Sequence, residues 1–164
     1  MTTRFSDCVV AVAYGGMSRE REISLATGDA VIGALRRKGY SVVAIDASRD
    51  LDQQLRASGA AVVFNALHGT FGEDGRLQGM LDWMGIPYTG EGQRASVLAF
   101  DKGIAKGLYR AAGVPIAGDF IIAARAVADF KTDAIPFDFP VVVKPVAEGS
   151  SVGINLVRCA NEMP

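Results

Sequence analysis

Apolar runs alternate with amphipathic segments along the first two-thirds of the chain. Residues 9–13 form a continuous β-rich run that ends at Gly15-Gly16, which is typical of a buried parallel strand. A helix is predicted to follow, with Ser18 as its N-cap residue and Glu20 in its first turn. The apolar face predicted for this helix consists of Ile23, Ala26, Ala30, Val31, Ala34 and Leu35.

The same alternation continues as far as residue 89. Further strands are predicted over residues 42–46, 61–67 and 86–89, and further helices over residues 51–57 and 77–84. This order predicts an α/β fold with a Rossmann-like, doubly wound parallel sheet and right-handed crossovers. Such sheets bind ligands at the carboxyl ends of their strands. These ends are expected at Gly15-Gly16, Asp46, His68-Gly69 and Thr89-Gly90.

The pattern changes after residue 95, so we expect a first domain of residues 1–95 and a second unit of residues 96–164. In the second unit the pattern predicts a helix over residues 96–112, a strand over 116–123, a short helix over 124–130 and strands over 139–143 and 154–159. Two or three strands with so little helix make a marginal core. The second unit is therefore expected to be an incomplete α+β subdomain.

The composition narrows the class of partner. The chain has 164 residues, 49% of them hydrophobic, and its net charge of −1 comes from interspersed charges. This balance favours a small-molecule partner over nucleic acid or a membrane surface. Two cysteines and one histidine support neither a zinc cluster nor a disulfide framework, so no metal ligand is assigned and a reducing, cytoplasmic location is expected.

Residues 141–153 combine an apolar strand, Lys144 and a glycine-serine loop. The loop's backbone N–H groups can surround oxyanions, because glycine permits the required backbone angles. The segment lacks the Walker pattern, and an ordinary glycine-rich hairpin is an alternative interpretation. Lys102 becomes a candidate only together with Lys144, since two lysines from separate elements could clamp nucleotide phosphates.

Two further candidates lie at the expected ligand edge. Glu20 could receive an ammonium group, although it could instead complement the helix dipole together with Glu22. His68 is the single histidine and stands before a loop with three glycines, where it could reach a ligand or play a purely structural part. Glu73 and Asp74 are predicted to cap the helix that follows.

Several motifs follow one another along nearly the whole chain, namely Tyr14-Gly15-Gly16-Met17-Ser18-Arg19-Glu20-Arg21-Glu22-Ile23-Ser24-Leu25, Ala66-Leu67-His68-Gly69, Gly72-Glu73-Asp74-Gly75, Gly79-Met80-Leu81, Ile86-Pro87-Tyr88-Thr89-Gly90, Asp101-Lys102, Val143-Lys144-Pro145 and Glu148-Gly149-Ser150-Ser151-Val152-Gly153. In this order they resemble the N-terminal half of the D-alanine–D-alanine ligase family, within the ATP-grasp superfamily.

The resemblance implies an enzyme in which ATP phosphorylates the carboxylate of one D-alanine and the amine of a second attacks the acyl phosphate, for peptidoglycan synthesis. It implies that Glu20 holds the D-alanine ammonium group, that His68 lies near the carboxylate, and that Ser150 links Glu20 to the substrate site. Glu20 and Ser150 are accordingly the implied catalytic residues. The positions that it implies for contacts with ATP are Lys102, Lys144, Glu148, Gly149 and Ser151.

The resemblance also implies Mg²⁺ and a homodimer of the full-length protein. The metal ligands, the adenine pocket and the rest of the grasp fold are expected in a C-terminal portion beyond these 164 residues, so we expect the isolated chain to be an inactive fragment. Two alternatives stay open. One is an ATP-grasp ligase for D-lactate or D-serine, and the other is a non-catalytic ligand-binding module.

Overall fold

The computed structural model describes residues 8–149 and 152–164, so Ser150 and Ser151 lie outside the described residues. The chain forms two compact units, Met1–Phe100 and Asp101–Pro164. The assignment of residues 1–95 to a substrate domain and of residues 96–164 to part of an ATP-grasp domain stays a prediction.

The first unit contains a parallel sheet of three strands. They are β1 (Val9–Tyr14), β2 (Ser41–Asp46) and β3 (Val62–Asn65), arranged in the order β2-β1-β3. Its helices are α1 (Arg21–Arg37), α2 (Leu51–Ser58), α3 (Arg76–Met84) and α4 (Gln93–Phe100). The register places Tyr14 of β1 opposite Asp46 of β2, so the carboxyl ends of these strands lie side by side.

Alternate residues of β1 face two separate hydrophobic clusters. Ala11 and Ala13 belong to a cluster with leucines of α2 and α3, namely Leu51, Leu55, Leu77 and Leu81. Val12 belongs to a second cluster with Ile32 of α1 and Ala66. Helices therefore cover both faces of the sheet, and the predicted α/β fold with a doubly wound parallel sheet is confirmed.

Helix α1 packs through a face that only partly matches the predicted one, because Val31 and Leu35 of the predicted stripe do pack against the core. Its buried residues are Ser24, Gly28 and Ile32, while Ile23 of the predicted stripe is 48% exposed. Small residues at positions 24 and 28 let the helix approach the sheet closely, and the Ser24 hydroxyl donates to the carbonyl oxygen of Ala66 over 2.7 Å. A pattern of large apolar residues does not detect a helix face built on small ones.

Two further predictions for the first unit need correction. Helix α1 begins at Arg21 with Glu20 in the N-cap position, rather than after a Ser18 cap. The strand predicted over residues 86–89 is reduced to a single parallel bridge between Tyr88 and Val63.

The second unit has helix α5 (Lys102–Ala111) and an antiparallel pair, β4 (Val141–Val143) and β5 (Asn155–Val157). The helix predicted over residues 96–112 is in fact two helices, because Asp101 is extended and its carboxylate caps α5 by accepting from the amides of Gly103 and Ile104. Residues 116–123 are described throughout and form no strand, and the helix predicted over residues 124–130 is a single 3-10 turn at Ala124–Ala126.

Candidate functional site

An ion pair at the carboxyl edge of the sheet encloses the glycine turn after β1. Nη1 and Nη2 of Arg21 donate to Oδ1 and Oδ2 of Asp46 over 2.7 and 2.6 Å. Nη1 also donates to the carbonyl oxygen of Gly16 over 2.9 Å, and the Gly16 amide donates to Asp46 Oδ1 over 3.2 Å. Both peptide groups of Gly16 are thus fixed by the same ion pair.

The charges of this pair stabilise one another. The hydrogen bond from Arg21 holds the pKa of the Asp46 carboxyl below its usual range, and the bond to Asp46 raises the pKa of the Arg21 guanidinium. The two side chains are 42% and 47% exposed. Exposed ion pairs contribute little to global stability, so this geometry bears mainly on the local backbone.

Ser18 connects the glycine turn to the loop after β3. Its hydroxyl donates to the carbonyl oxygen of His68 over 2.8 Å and accepts from the amide of Glu20 over 3.1 Å. Ser18 therefore fixes the backbone just before α1 instead of capping the helix. As a result, Glu20 lies beside the loop that carries His68.

The Glu20 side chain is buried, with only 3% of the residue exposed. Within the described residues, neither of its carboxylate oxygens has a hydrogen-bond partner. Gly69 lies directly against it, with a left-handed φ of 69°, and a Cβ atom at that position would overlap Glu20 Oε2. Burying a carboxylate without a partner is costly, so this group is a candidate for binding a cationic ligand.

His68 is partly buried and is oriented by two elements. Its Nε2 lies 3.1 Å from the Thr27 hydroxyl of α1, and its Nδ1 lies 3.8 Å from Glu73 Oε1. The other oxygen of Glu73 accepts from the Gly69 amide over 2.8 Å. The imidazole thus stands between a hydroxyl and a carboxylate that also fixes the neighbouring glycine.

Carboxylates hold the loop between β3 and α3 in shape, rather than both capping the helix as predicted. Asp74 accepts from the Phe71 amide over 2.8 Å and from the Arg76 amide over 3.2 Å, and the N-cap position itself is Gly75. Burial tends to raise the pKa of Asp74, but hydrogen bonds from Arg76 and from the Phe71 amide outweigh it and lower that pKa. Of the two predicted capping residues, only Asp74 accepts a hydrogen bond from an amide at the start of α3.

A cavity of about 460 Å³ opens at this edge. Its wall comes from the glycine turn, the loop after β2, the His68 loop and α3. Ser18 and His68 line it, whereas Glu20 and Gly69, which lie against each other, are not part of the lining. The cavity is large enough for a small amino acid.

In the second unit, Lys102 contacts the segment that follows Lys144. Nζ of Lys102 donates to the carbonyl oxygen of Glu148 over 2.6 Å and to that of Val146 over 3.4 Å. An ammonium group has three donors, so one remains for another acceptor. Lys144 is exposed at the end of β4, and Gly149 follows Glu148 in the same segment. The predicted sites Ser150 and Ser151 lie outside the described residues.

Neither a metal-binding cluster nor a membrane-spanning helix occurs in the part of the chain that the structure describes. No group of three or more His, Cys, Asp or Glu side chains in residues 8–149 and 152–164 could hold a metal ion. Across the same ranges, every helix is too short or too polar to span a membrane.

Sequence reasoning identified Glu20 and His68 as edge residues but missed the pairing of Arg21 with Asp46. The sequence offered a partial signal, because Asp46 ends a predicted strand and Arg21 follows the glycine turn that ends another, but the register that brings them together is known only from the structure. In a parallel pair, an acidic residue at the end of one strand lies beside the turn that ends the next, and a basic residue soon after that turn can reach it.

Two protein families match this chain. Residues 46–91 match the family described as D-ala D-ala ligase N-terminus, and residues 108–164 match the D-ala D-ala ligase C-terminus. Together the two matches cover more than half of the chain.

Curated relatives and solved structures agree with these matches. The chain is similar to D-alanine–D-alanine ligases of Anaeromyxobacter dehalogenans strain 2CP-C, at 47% identity over 94% of this chain, and of Acidiphilium cryptum, at 52% identity over 91%. It resembles the crystal structures of the Bacillus anthracis and Helicobacter pylori ligases, with TM-scores of 0.80 and 0.73 and identities of 35% and 27%. Each structural match covers 94% of this chain.

The chain spans about half the length of these relatives. The matched share is 50% of the Anaeromyxobacter protein, 49% of the Acidiphilium protein, 51% of the Bacillus structure and 57% of the Helicobacter structure.

Proposed function

Because this chain belongs to the D-alanine–D-alanine ligase family, we propose that it carries the first-substrate site and part of the nucleotide site of an ATP-dependent ligase. The reaction joins two D-alanine molecules, and the dipeptide product is used in peptidoglycan synthesis. The family resemblance extends the proposal to a cytoplasmic homodimer.

The observation that carries this proposal is the buried carboxylate of Glu20. It has no hydrogen-bond partner in the described residues and lies against the loop that holds His68. An ammonium group would supply the missing donors, because a charge-assisted bond is strongest where water is excluded. We assign Glu20 to the ammonium group of the first D-alanine.

His68 is assigned to the carboxylate of the same substrate. It lines the cavity, and its ring is oriented between Thr27 and Glu73. An imidazole N–H can donate to a carboxylate. The proposed binding mode has the D-alanine carboxylate at His68 and its ammonium group at Glu20, which lies against the His68 loop although it does not line the cavity. Ser150 is proposed to link Glu20 to this site.

Lys102 and Lys144 are assigned to the phosphates of ATP, with the backbone of Glu148, Gly149 and Ser151. Lys102 has one donor beyond the two carbonyl oxygens it contacts. Lys144 is exposed and precedes the same segment, Val146 to Glu148, in the chain. Two ammonium groups can hold phosphate oxygens in place during phosphoryl transfer.

The proposed chemistry has two steps. A carboxylate oxygen of the first D-alanine takes the terminal phosphoryl group of ATP, and ADP leaves. The amine of the second D-alanine then attacks the acyl carbon, inorganic phosphate leaves, and the amine loses a proton. Mg²⁺ is proposed from the family resemblance alone. The described residues contain no group of side chains that could hold it.

The first test measures D-alanine binding to the 164-residue chain by NMR titration. Glu20→Gln should weaken binding by roughly 10- to 150-fold, which is the loss of a charged hydrogen bond worth about 1.5–3 kcal/mol. Glu22→Gln is the matched control, because Glu22 is exposed in the first turn of the same helix. Equal weakening by both variants would contradict the assignment of Glu20.

A second test measures the complete ligase reaction in a full-length fusion protein. Residues 1–164 are fused in register to the second half of the Anaeromyxobacter dehalogenans relative, and phosphate release is measured with ATP, Mg²⁺ and D-alanine. The proposal expects D-alanyl-D-alanine as the product, identified by mass. Faster turnover with D-lactate or D-serine would support a different ligase, and substrate binding without any turnover would favour a non-catalytic module.

A further inference from the structure

The glycine turn after β1 is held by the side chains of Arg21 and Asp46, neither of which lines the cavity. Arg21 and Asp46 form a bidentate pair, and the same two groups bind the carbonyl oxygen and the amide of Gly16. Asp46 is the last residue of β2, and Arg21 is the first residue of α1. The pair therefore ties the start of α1 to a neighbouring strand.

The fit is close enough to require glycine beneath the pair. Gly15 has a left-handed φ of 67°, and a Cβ atom there would overlap Asp46 Oδ1 and lie 2.8 Å from Arg21 Nη1. Gly16 is also left-handed, with φ of 78°. The ion pair closes over a turn whose backbone only glycine adopts without strain.

Glu20 lies between this pair and a second anchor. On one side, Arg21 is the next residue in the chain. On the other side, Ser18 accepts from the Glu20 amide and donates to the carbonyl oxygen of His68. Within the described residues, the Glu20 carboxylate makes no hydrogen bond of its own. Its position is consequently set by the backbone between the two anchors.

We propose that Arg21 and Asp46 are positioning residues that place the Glu20 carboxylate for the ammonium group of the first substrate. This inference rests on the proposed function for the identity of that substrate. Because both side chains are more than two-fifths exposed, their loss should alter stability little. Placement of a charged partner, by contrast, depends steeply on geometry.

The experiment uses Arg21→Ala, Asp46→Ala and the double variant of the 164-residue chain. Each single variant should raise the dissociation constant for D-alanine about tenfold, and the double variant should be no worse than either, since both remove the same support. Arg21→Lys should recover only part of the affinity, because an ammonium group cannot make the bidentate contact. Arg19→Ala, an exposed neighbour in the same segment, is the control and should bind normally.

Thermal midpoints and amide hydrogen exchange separate positioning from simple destabilisation. The variants should melt within a few degrees of the wild type, while the amides of Gly16 and Glu20 exchange faster in Arg21→Ala and Asp46→Ala but not in Arg19→Ala. Unchanged exchange at Glu20, or additive losses of affinity in the double variant, would overturn the inference.

The result also distinguishes this inference from the proposed function. If Glu20→Gln abolishes D-alanine binding while Arg21→Ala and Asp46→Ala retain it, only the positioning role fails. If the wild-type chain does not bind D-alanine, the assigned ligand fails, and hydrogen exchange at Glu20 still decides whether the pair holds that segment.

Discussion

Gly69 shows how closely single residues define the candidate site. It lies against the buried Glu20 carboxylate in a left-handed conformation. Any side chain at this position meets two separate penalties, which are backbone strain and overlap with Glu20. The residue is therefore part of the site even though it offers no functional group.

Gly69→Ala should destabilise the chain by more than backbone strain alone, which costs about 1–3 kcal/mol. The matched control is Gly59→Ala, because Gly59 has a similar φ of 63° and a methyl group added there would meet no atom within 4 Å. Urea denaturation of both variants should give a larger loss for Gly69→Ala, accompanied by weaker D-alanine binding. Equal losses of unfolding free energy in the two variants would mean that the Glu20 side chain moves away from the added methyl group at no cost.

At the scale of elements, α1 is the part of the fold that brings the site residues to the sheet. Its close approach depends on Gly28, where a Cβ atom would overlap the side chain of Tyr14 on β1. Ser24 adds a buried hydrogen bond on the same face. The packing of this helix therefore rests on small residues at its close approach together with the apolar residues Val31, Ile32 and Leu35.

Gly28→Ala should lower the free energy of unfolding by about 1–3 kcal/mol, because the overpacked methyl group outweighs the gain in helix propensity. Gly33→Ala is the control in the same helix. Its methyl group would meet only the flexible end of Arg37 at 3.2 Å, so this variant should gain up to about 1 kcal/mol. Thermal denaturation followed by circular dichroism measures both, and a stabilising Gly28→Ala would contradict the packing argument.

Helices and strands were predictable from sequence where the local residue pattern matches the way the segment packs in the fold. The alternation of strands and helices up to residue 84 was correct, because buried strands and amphipathic helices have distinct periods. Residues 116–123 have the composition of a strand but do not pair with one in the structure. The break at Asp101 had a local signal, since aspartate is a strong N-cap residue.

The site was predictable in its location but not in its support. Strand ends in a parallel sheet gave the neighbourhood of Glu20 and His68, since ligand edges follow from topology. The orientation of His68 by Thr27 joins residues 41 positions apart, and Arg21 meets Asp46 across 25 positions. Such contacts depend on the register of whole elements, which residue patterns do not specify.

At the scale of the whole molecule, the two units differ in how much core they contain. Nearly all of the buried hydrophobic residues in the described chain lie in the first unit, and the second contributes only Ala105 and Val157. Large side chains such as Ile104, Leu108 and Tyr109 of α5 are about half exposed. Burial of apolar surface drives folding, so the first unit holds most of the stability.

Hydrogen exchange of the 164-residue chain should therefore show much weaker protection in residues 101–164 than in β1. The chain should also tend to self-associate through the exposed apolar residues of α5. Mass spectrometry of peptic peptides measures the protection, and dilution separates association from intrinsic order. Protection of β4 and β5 equal to that of β1 would show that the second unit is stable with very little core.

The glycine wall of the candidate cavity limits how its selectivity could evolve. Gly15 and Gly16 line the cavity with left-handed φ angles that strain any other residue, and a methyl group on Gly15 would also overlap Asp46, so point mutation cannot place side chains there without disturbing the site. Changes in the accepted ligand must instead arise at positions with room for variation, such as Met17 and Arg49, whose exposed side chains border the same cavity. Divergence within this lineage should therefore concentrate at those positions while the glycines persist.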